Sequence, residues 1–268
     1  MQPIISVKNV TKKFKEVVAV DDISFDVNGG EIFAFLGPNG AGKSTTIKML
    51  TTLLKPTGGS LFLSGHDVNK EQDAARKVFG IVFQDPSLDD ELTAFENMQL
   101  HAVLYGLDRK TMNQRTEELL QLVELWDRRN SIVKTFSGGM KRRLEIARGL
   151  LHHPGILFLD EPTLGLDAQT RNLLWNYVQK LNEKEGMTIF FTTHYLEEAE
   201  AIANRIAIID HGKLVAMGDA NQLKNQTGTD SLEDAYLELT GKTVRDETLD
   251  NAALRKQMIR NVIASRRR

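Results

Sequence analysis

Apolar and polar positions change period several times along this chain. Val7 to Val10 and Val17 to Val27 cluster or alternate β-branched and apolar residues, and Asn28, Gly29 and Gly30 supply a turn before Glu31 to Leu36. The opening is therefore expected to be antiparallel and strand-rich. A short apolar strand, a glycine loop and a helical stretch from Lys43 to Leu54 then begin a parallel βα unit. Leu61 to Leu63 and Val78 to Phe83 have strand character. Between Leu88 and Phe136 the period lengthens: Phe95, Met98, Leu100, Val103 and Leu104, then Leu119, Leu120, Val123 and Leu125, recur at helical spacing. An inserted helical subdomain, about 88–136, is expected there. Alternation resumes with a helix over Met140 to Leu151, a buried strand over Ile156 to Leu159, a helix over Leu173 to Leu181 and a strand over Thr188 to Thr192. Two short strands flank His211 and Gly212, and helices are predicted at Ala220 to Lys224 and Ser231 to Leu239. The fold class implied is α/β, with a mostly parallel sheet, an N-terminal antiparallel β subdomain and a helical insertion.

Composition narrows this picture mainly by exclusion. Hydrophobic residues make up 41% and charged residues 26% of the 268, close to the usual globular mix, so neither a disordered nor a fibrous class is indicated. No run approaches the roughly 18 consecutive apolar residues that cross a bilayer as a helix. The first ten residues lack the basic segment, apolar core and cleavage site of a secretory signal, so a cytosolic site of action is expected. With no cysteine, disulfides, thiolate catalysis and cysteine zinc sites are excluded, and the six histidines show no paired-ligand spacing. A net charge of -2 gives no global attraction to nucleic acid.

The chemistry concentrates in two places. Gly37, Pro38, Asn39, Gly40, Ala41, Gly42, Lys43, Ser44 and Thr45 satisfy G-x-x-x-x-G-K-[ST] between a predicted strand and a predicted helix, the arrangement of a P-loop NTPase. Polyphosphate is anionic, so such a loop must turn many backbone N–H groups inward; glycines permit the dihedrals and keep side chains out of the way. The helix starting at Lys43 adds its positive dipole end. Lys43 is expected on the β and γ phosphates of ATP, and the Ser44 hydroxyl on Mg²⁺. Downstream, Ile156 to Leu159 runs into Asp160 and Glu161, two acids at the exit of a buried strand, where α/β sheets bind ligands. Acids after a strand also serve as caps. With a phosphate loop upstream, Asp160 is expected to hold Mg²⁺ and Glu161 to polarise the attacking water.

Ser137, Gly138, Gly139, Met140 and Lys141, continuing through Arg142, Arg143, Leu144, Glu145, Ile146, Ala147 and Arg148, resemble the signature motif of ABC transporter ATPases. Without that resemblance they are a helix N-terminus with free N–H groups. The resemblance extends from about Ile4 to Gly241 and implies an ABC ATPase domain over 1–241. It implies that Ser137, Gly138, Gly139 and Met140 meet the γ phosphate of ATP held by a second nucleotide-binding subunit, in a head-to-tail homodimer with two sandwiched nucleotides. It further implies that Phe14 stacks on adenine, that Gln84 meets Mg²⁺ or water and senses a transmembrane subunit, that Asp167 belongs to the D-loop, and that His194 is the switch histidine on the γ phosphate. Met140 stands where glutamine is common, Phe136 where leucine is, and Leu164 where a small polar residue is; none of these removes a catalytic group.

The Gly-Gly-Met-Lys-Arg-Arg wording, Thr192 to Ala199 and Asp210 to Lys213 resemble exporter ATPases of the daunorubicin-resistance type, which move drugs, lipids or polysaccharides. The expectation is an ATPase that energises a separate integral-membrane permease from the cytoplasmic face of the cell membrane, with no nucleic acid partner. A soluble ABC ATPase acting on ribosomes or DNA, and an importer ATPase, are the alternatives. The last eighteen residues carry six basic and no acidic side chains. Within the tail 242–268, Leu254, Met258 and Val262 recur at helical spacing. Contact with anionic lipid, contact with the partner subunit and a solvated terminus remain open there.

Overall fold

The computed structural model describes residues 3–241, and these divide into two compact units between Asp219 and Ala220. The basic tail 242–268 lies outside the described residues. In chain order the first unit holds β1 (Ile5–Phe14), β2 (Val17–Val27), β3 (Ile32–Leu36), α1 (Lys43–Leu50), β4 (Gly58–Leu63), β5 (His66–Asp67), α2 (Gln72–Lys77) and β6 (Phe79–Val82). Two helices, α3 (Ala94–Leu104) and α4 (Arg109–Leu122), precede α5 (Gly138–Gly149). Then come β7 (Ile156–Asp160), α6 (Ala168–Glu185), β8 (Thr188–Thr193), α7 (Leu196–Ile202), β9 (Arg205–Asp210) and β10 (Lys213–Gly218). The second unit contains α8 (Ala220–Thr227) and α9 (Leu232–Thr240), the latter capped by Ser231, whose hydroxyl accepts from Asp234 N at 3.0 Å.

The strands form two sheets. One is antiparallel throughout, in the order β2-β1-β4-β5; the other runs β10-β9-β3-β8-β7-β6 and is parallel except at its β10 edge. The central strands β3, β7 and β8 are buried at every position. This explains the unbroken apolar runs of β3 and of Ile156 to Leu159 in β7, and the Ile-Phe-Phe centre of β8, since a parallel sheet is covered on both faces. Phe25 of the antiparallel sheet lies 5.6 Å from Phe33 and 6.1 Å from Phe190, and Phe190 lies 5.5 Å from Phe158. That aromatic cluster joins the two sheets. Parallel register places Leu36 opposite Thr193 and Asp160 opposite Thr192, so the loops after β3, β7 and β8 leave the sheet at one level.

Some local expectations needed correction. The helix after the glycine loop stops at Leu50 instead of Leu54: Thr51 closes it and Thr52 has φ 65°. β5, α2 and α7 are short elements with no clear period of their own. On α3 the apolar residues do not form one buried stripe. Met98 and Ala102 are buried, whereas Leu100, Val103 and Leu104 are 52, 66 and 75% exposed and form a second apolar face. The helix starts at Thr93, which accepts from Glu96 N while Glu96 accepts from Thr93 N, a reciprocal cap that holds Glu96 below the usual carboxylate range.

At the other end of α3, Tyr105 stacks on His152 at 3.8 Å and His101 lies 4.9 Å from Tyr105. His152 Nε2 lies 2.9 Å from Phe79 O. Burial first, then the Arg148 charge and His152, push His101 down from 6.5 to about 4. Between those two values the unfolded chain binds a proton that the folded chain does not. The contribution of His101 is therefore full above pH 6.5 and is lost as pH falls through 4. His101→Phe keeps a ring and removes the titration, so urea unfolding midpoints measured across that window should fall less steeply than in the parent. An equally steep fall would remove His101 as a source of the acid sensitivity.

Candidate functional site

The loop 37–42 folds around the first turn of α1. Gly42 has φ 109°, and a Cβ there would lie 2.6 Å from Ala19 O, so both the dihedral and the space require glycine. The loop is tied to its surroundings by Gly37 N donating to Thr193 O at 3.3 Å and Gly212 N donating to Ala41 O at 3.0 Å. Pro38 contributes its carbonyl, which accepts from Ala41 N at 3.2 Å. Lys43 is buried, and its ammonium donates to Gly37 O at 2.8 Å and Pro38 O at 3.1 Å and lies 3.1 Å from Glu161 Oε1. Every group on this cation is an oxygen that an incoming phosphate oxygen can replace.

Asp160 ends β7 and is buried. Its Oδ1 accepts from Ser44 Oγ at 3.2 Å and from Thr192 Oγ1 at 2.6 Å. Thr192 Oγ1 in turn accepts from Glu161 N at 3.0 Å. Ser44 and Asp160 thus present two oxygens to one point, the donor chemistry of a hard cation. No cluster of three or more acidic, histidine or cysteine side chains suited to a metal occurs among the described residues. A cation here must therefore take most of its ligands from phosphate and water, which suits Mg²⁺.

Glu161 is non-glycine with φ 46°, a conformation seldom adopted without compensation from its surroundings. Its carboxylate lies between Lys43 on one oxygen and His194 on the other, with His194 Nδ1 3.2 Å from Oε2 in a close but poorly aligned approach. The His194 ring centre also lies 4.1 Å from that of Tyr195, tilted by 40°, and Arg171 lies over the Tyr195 ring at 5.1 Å. A cavity of about 250 Å³ is lined by Asn39, Gly40, Gly42, Lys43, Ser44, Thr45, Gln84, Glu161 and Ala19. The glycine loop, the strand-end carboxylate and Gln84, which follows β6, therefore share one space.

Gly37, Pro38, Ala41, Asp160 and His194 adjoin or contact its lining residues without lining it themselves, and two further groups of expected residues are also absent from the lining. Phe14 ends β1, is 45% exposed as a residue and has the Lys12 ammonium 5.0 Å from its ring centre, but it does not line the cavity. Neither do Ser137, Gly138, Gly139 and Met140, nor Asp167. Ser137 caps α5, its hydroxyl accepting from Met140 N at 3.3 Å. A Cβ on Gly139 would lie 2.5 Å from Thr170 Cγ2. Thr170 is held by Asp167, which accepts from its N at 2.9 Å and its hydroxyl at 2.8 Å and is kept below the usual carboxylate range by those bonds. Asp167 is thus the cap of α6 and fixes the residue against which the signature glycine packs.

Three residues that sequence reasoning did not single out hold the site together. Thr192 bridges Asp160 and the Glu161 main chain. Glu198 is buried and accepts from Thr163 at 2.6 Å and Thr193 at 3.2 Å. Arg142 is buried on α5 and reaches the carbonyls around Asp160 and Glu161. Thr192 is recognisable only once strand register is known. Arg142 and Glu145 carried a signal, opposite charges three apart on the helix face that also buries Ile146 and Gly149.

A glycine-cradled ammonium, a strand-end Asp-Glu pair and a second anion-ready helix N-terminus define a nucleotide-hydrolysing ATPase of the cassette type. The ABC transporter family profile matches residues 20–164, more than half of the chain, and the chain belongs to that family. It is an ATP-binding and ATP-hydrolysing member. It is 43% identical over 228 residues to the daunorubicin/doxorubicin resistance ATP-binding protein DrrA of Streptomyces peucetius, covering 85% of this chain and 69% of that protein. It is 40% identical over 232 residues to the Nod factor export ATP-binding protein I of Ralstonia nicotianae, covering 86% of this chain and 72% of that protein. Among solved structures, the dimeric post-hydrolysis state of the ATP-binding cassette MJ0796 bound to ADP and Pi superposes with a TM-score of 0.72 at 31% identity, covering 80% of this chain and 98% of that one.

The steric demand at Gly42 gives a direct test of the loop. Gly42→Ala should lower ATP affinity about tenfold or more, because a left-handed non-glycine and a clash with Ala19 must both be relieved. Titration with a fluorescent nucleotide would measure this, and parental affinity would contradict the close fit.

Proposed function

We propose that this chain is the energising subunit of an exporter, in which two copies enclose two ATP molecules and drive a separate integral-membrane permease. The observation that carries it is the convergence of Lys43, Ser44, Gln84 and Glu161 on one cavity that none of Ser137 to Met140 lines. Each cavity is then completed by the signature turn of the other copy, with Asp167 beside it. The relatives support the direction of transport, since their names specify drug resistance and Nod factor export.

Within one site, Lys43 exchanges the Gly37 and Pro38 carbonyls for phosphate oxygens and neutralises charge on the β and γ phosphates. Ser44 and Asp160 hold Mg²⁺, with Thr192 orienting the carboxylate; the ion supplies charge stabilisation on the phosphates. Glu161 accepts the proton of the attacking water, and Gln84 positions that water. His194, beside Glu161, steadies the carboxylate and reaches the γ phosphate. Phe14 supplies an exposed ring face for adenine.

Among the described residues no helix is long and apolar enough to cross a membrane; in this reading the conduit is a separate permease chain. The exposed Leu100, Val103 and Leu104 on α3 offer an apolar face of the kind a permease loop covers. The permease places the ATPase at the cytoplasmic face of the membrane and selects the cargo.

Glu161→Gln preserves shape and removes the base, so ATP binding should be retained while steady-state hydrolysis slows roughly 10²- to 10⁴-fold. Near-normal turnover would rule out that role. Co-purification with an integral-membrane subunit, weakened by Val103→Glu without loss of ATP binding, is expected of the transport role. Recovery with ribosomes or DNA instead would overturn it.

A further inference from the structure

Arg142 sits about one turn into α5 and is only 7% exposed. A guanidinium carries five N–H donors in a fixed plane, and here every one has an acceptor. Nε donates to Pro162 O at 2.8 Å. Nη1 donates to Phe83 O and, at 3.2 Å, to Glu145 Oε2. Nη2 donates to Glu161 O at 3.1 Å and Asp160 O at 3.4 Å. Four of these acceptors are main-chain carbonyls. They come from two separate loops, the one that begins at Phe83 and carries Gln84, and the one that carries Asp160 and Glu161.

Glu145 is the counter-ion and is 1% exposed. Its other oxygen accepts from Ser87 N at 2.7 Å, and Arg148 donates to Ser87 O at 2.7 Å. The segment from Phe83 to Ser87 is therefore fastened to α5 at both ends. Burial lowers the Arg142 pKa, and the Glu145 charge opposes that effect. A buried ion pair of this kind adds little to stability over apolar packing of the same volume. What it provides is position. The Glu161 main chain, in its left-handed conformation, is gripped from one side by Thr192 and from the other by Arg142. The carboxylate it carries is set by those two contacts, one from β8 and one from α5.

We propose that Arg142 is a positioning residue for ATP hydrolysis: it locks Gln84 and Glu161 of the chain's own site to the helix whose first turn engages nucleotide held by a second copy. Nucleotide engaged at Ser137 to Gly139 then moves α5 and, through the guanidinium, adjusts the catalytic carboxylate of the other site. This inference rests on the two-copy arrangement proposed above.

Arg142→Lys in the full 268-residue chain keeps the charge beside Glu145 and replaces the planar fork by one nitrogen. Steady-state kcat should fall about 10- to 100-fold, the scale expected when a remote change misplaces a catalytic group. The KM for ATP and the thermal unfolding midpoint should change little, and a sigmoidal ATP dependence in the parent should become hyperbolic. Parental kcat and sigmoidicity in the variant would overturn the proposal, as would a hyperbolic parent. A joint fall of kcat, ATP affinity and thermal midpoint would reduce Arg142 to a structural role and also overturn it. If the lysine variant does not fold, Glu145→Gln removes the counter-ion but leaves Ser87 N an acceptor. The same kcat loss at constant KM is expected there, and unchanged kcat would overturn the proposal. A parent that binds ATP but never pairs would sink the two-copy arrangement, and that shows before any substitution is made.

Discussion

The in-register parallel pairing of β3, β8 and β7 is the constraint on which the site depends. Phe33 lies opposite Phe190, and Phe190 opposite Phe158, so three rings meet on one face and fix the alignment of three strands. A slip by one residue would send those rings to the other face, and a fully buried sheet cannot tolerate the repacking. Because the strands run the same way, the register that aligns the rings also aligns the strand ends and the loops beyond them. Leu36 and Thr193 end at one level with Asp160 one residue short of it, and the glycine loop, Glu161 and His194 emerge side by side. Catalytic geometry is in this sense a consequence of how phenylalanines pack.

On that platform the protein keeps charges where water is largely excluded. Lys43, Asp160, Glu161, Arg142 and Glu145 are all buried. Their desolvation is offset by specific partners: loop carbonyls and Glu161 for Lys43, hydroxyls for Asp160, four carbonyls and a carboxylate for Arg142. Such groups contribute modestly to stability at best. Their value lies in fields that are already oriented when phosphate arrives, since an ammonium or carboxylate fixed in a low-dielectric site acts without reorganisation. The stability of the unit must instead come from the aromatic and aliphatic core between the sheets.

Much of the fold was legible because its signals are local. Unbroken apolar runs marked β3 and β7, β-branched and aromatic residues marked β8, and the glycine pattern marked the turn between β3 and α1 without any knowledge of neighbours. Lys43 and Ser44 were legible by spacing within the glycine motif and Glu161 by its place at the exit of β7, whereas Gln84 was legible only through the resemblance to ABC ATPases. The features that stayed hidden depend on contacts between distant segments. Thr192 opens a stretch that resembles exporter ATPases, but that resemblance says nothing of its bond to Asp160, which exists only because β7 and β8 are adjacent. Arg142 sits within a recognised motif, yet its carbonyl acceptors lie 18 to 59 residues away. The apolar residues of α3 misled in a different manner: periodicity reports that a face is apolar, not whether this chain or another one covers it.

The separation of Ser137 to Met140 from the cavity bears on assembly. A capped helix N-terminus with two glycines offers N–H groups to an anion, and Gly139 packs closely against Thr170 behind that turn. The same chain holds a phosphate cradle elsewhere, lined by other residues. Two half-sites on one chain can be satisfied together by a second copy related by a two-fold axis, because each copy then offers its cradle to the other's turn. Such an interface closes on itself and creates two equivalent sites, so the number of nucleotides is set by the symmetry. In the two-copy arrangement proposed above, α5 would have its first turn at one of these sites and its buried charges beside the other, and would so connect them within one helix. Coupling along it needs no large rearrangement, since a rigid helix transmits a displacement of its N-terminus directly to the carbonyls that Arg142 holds.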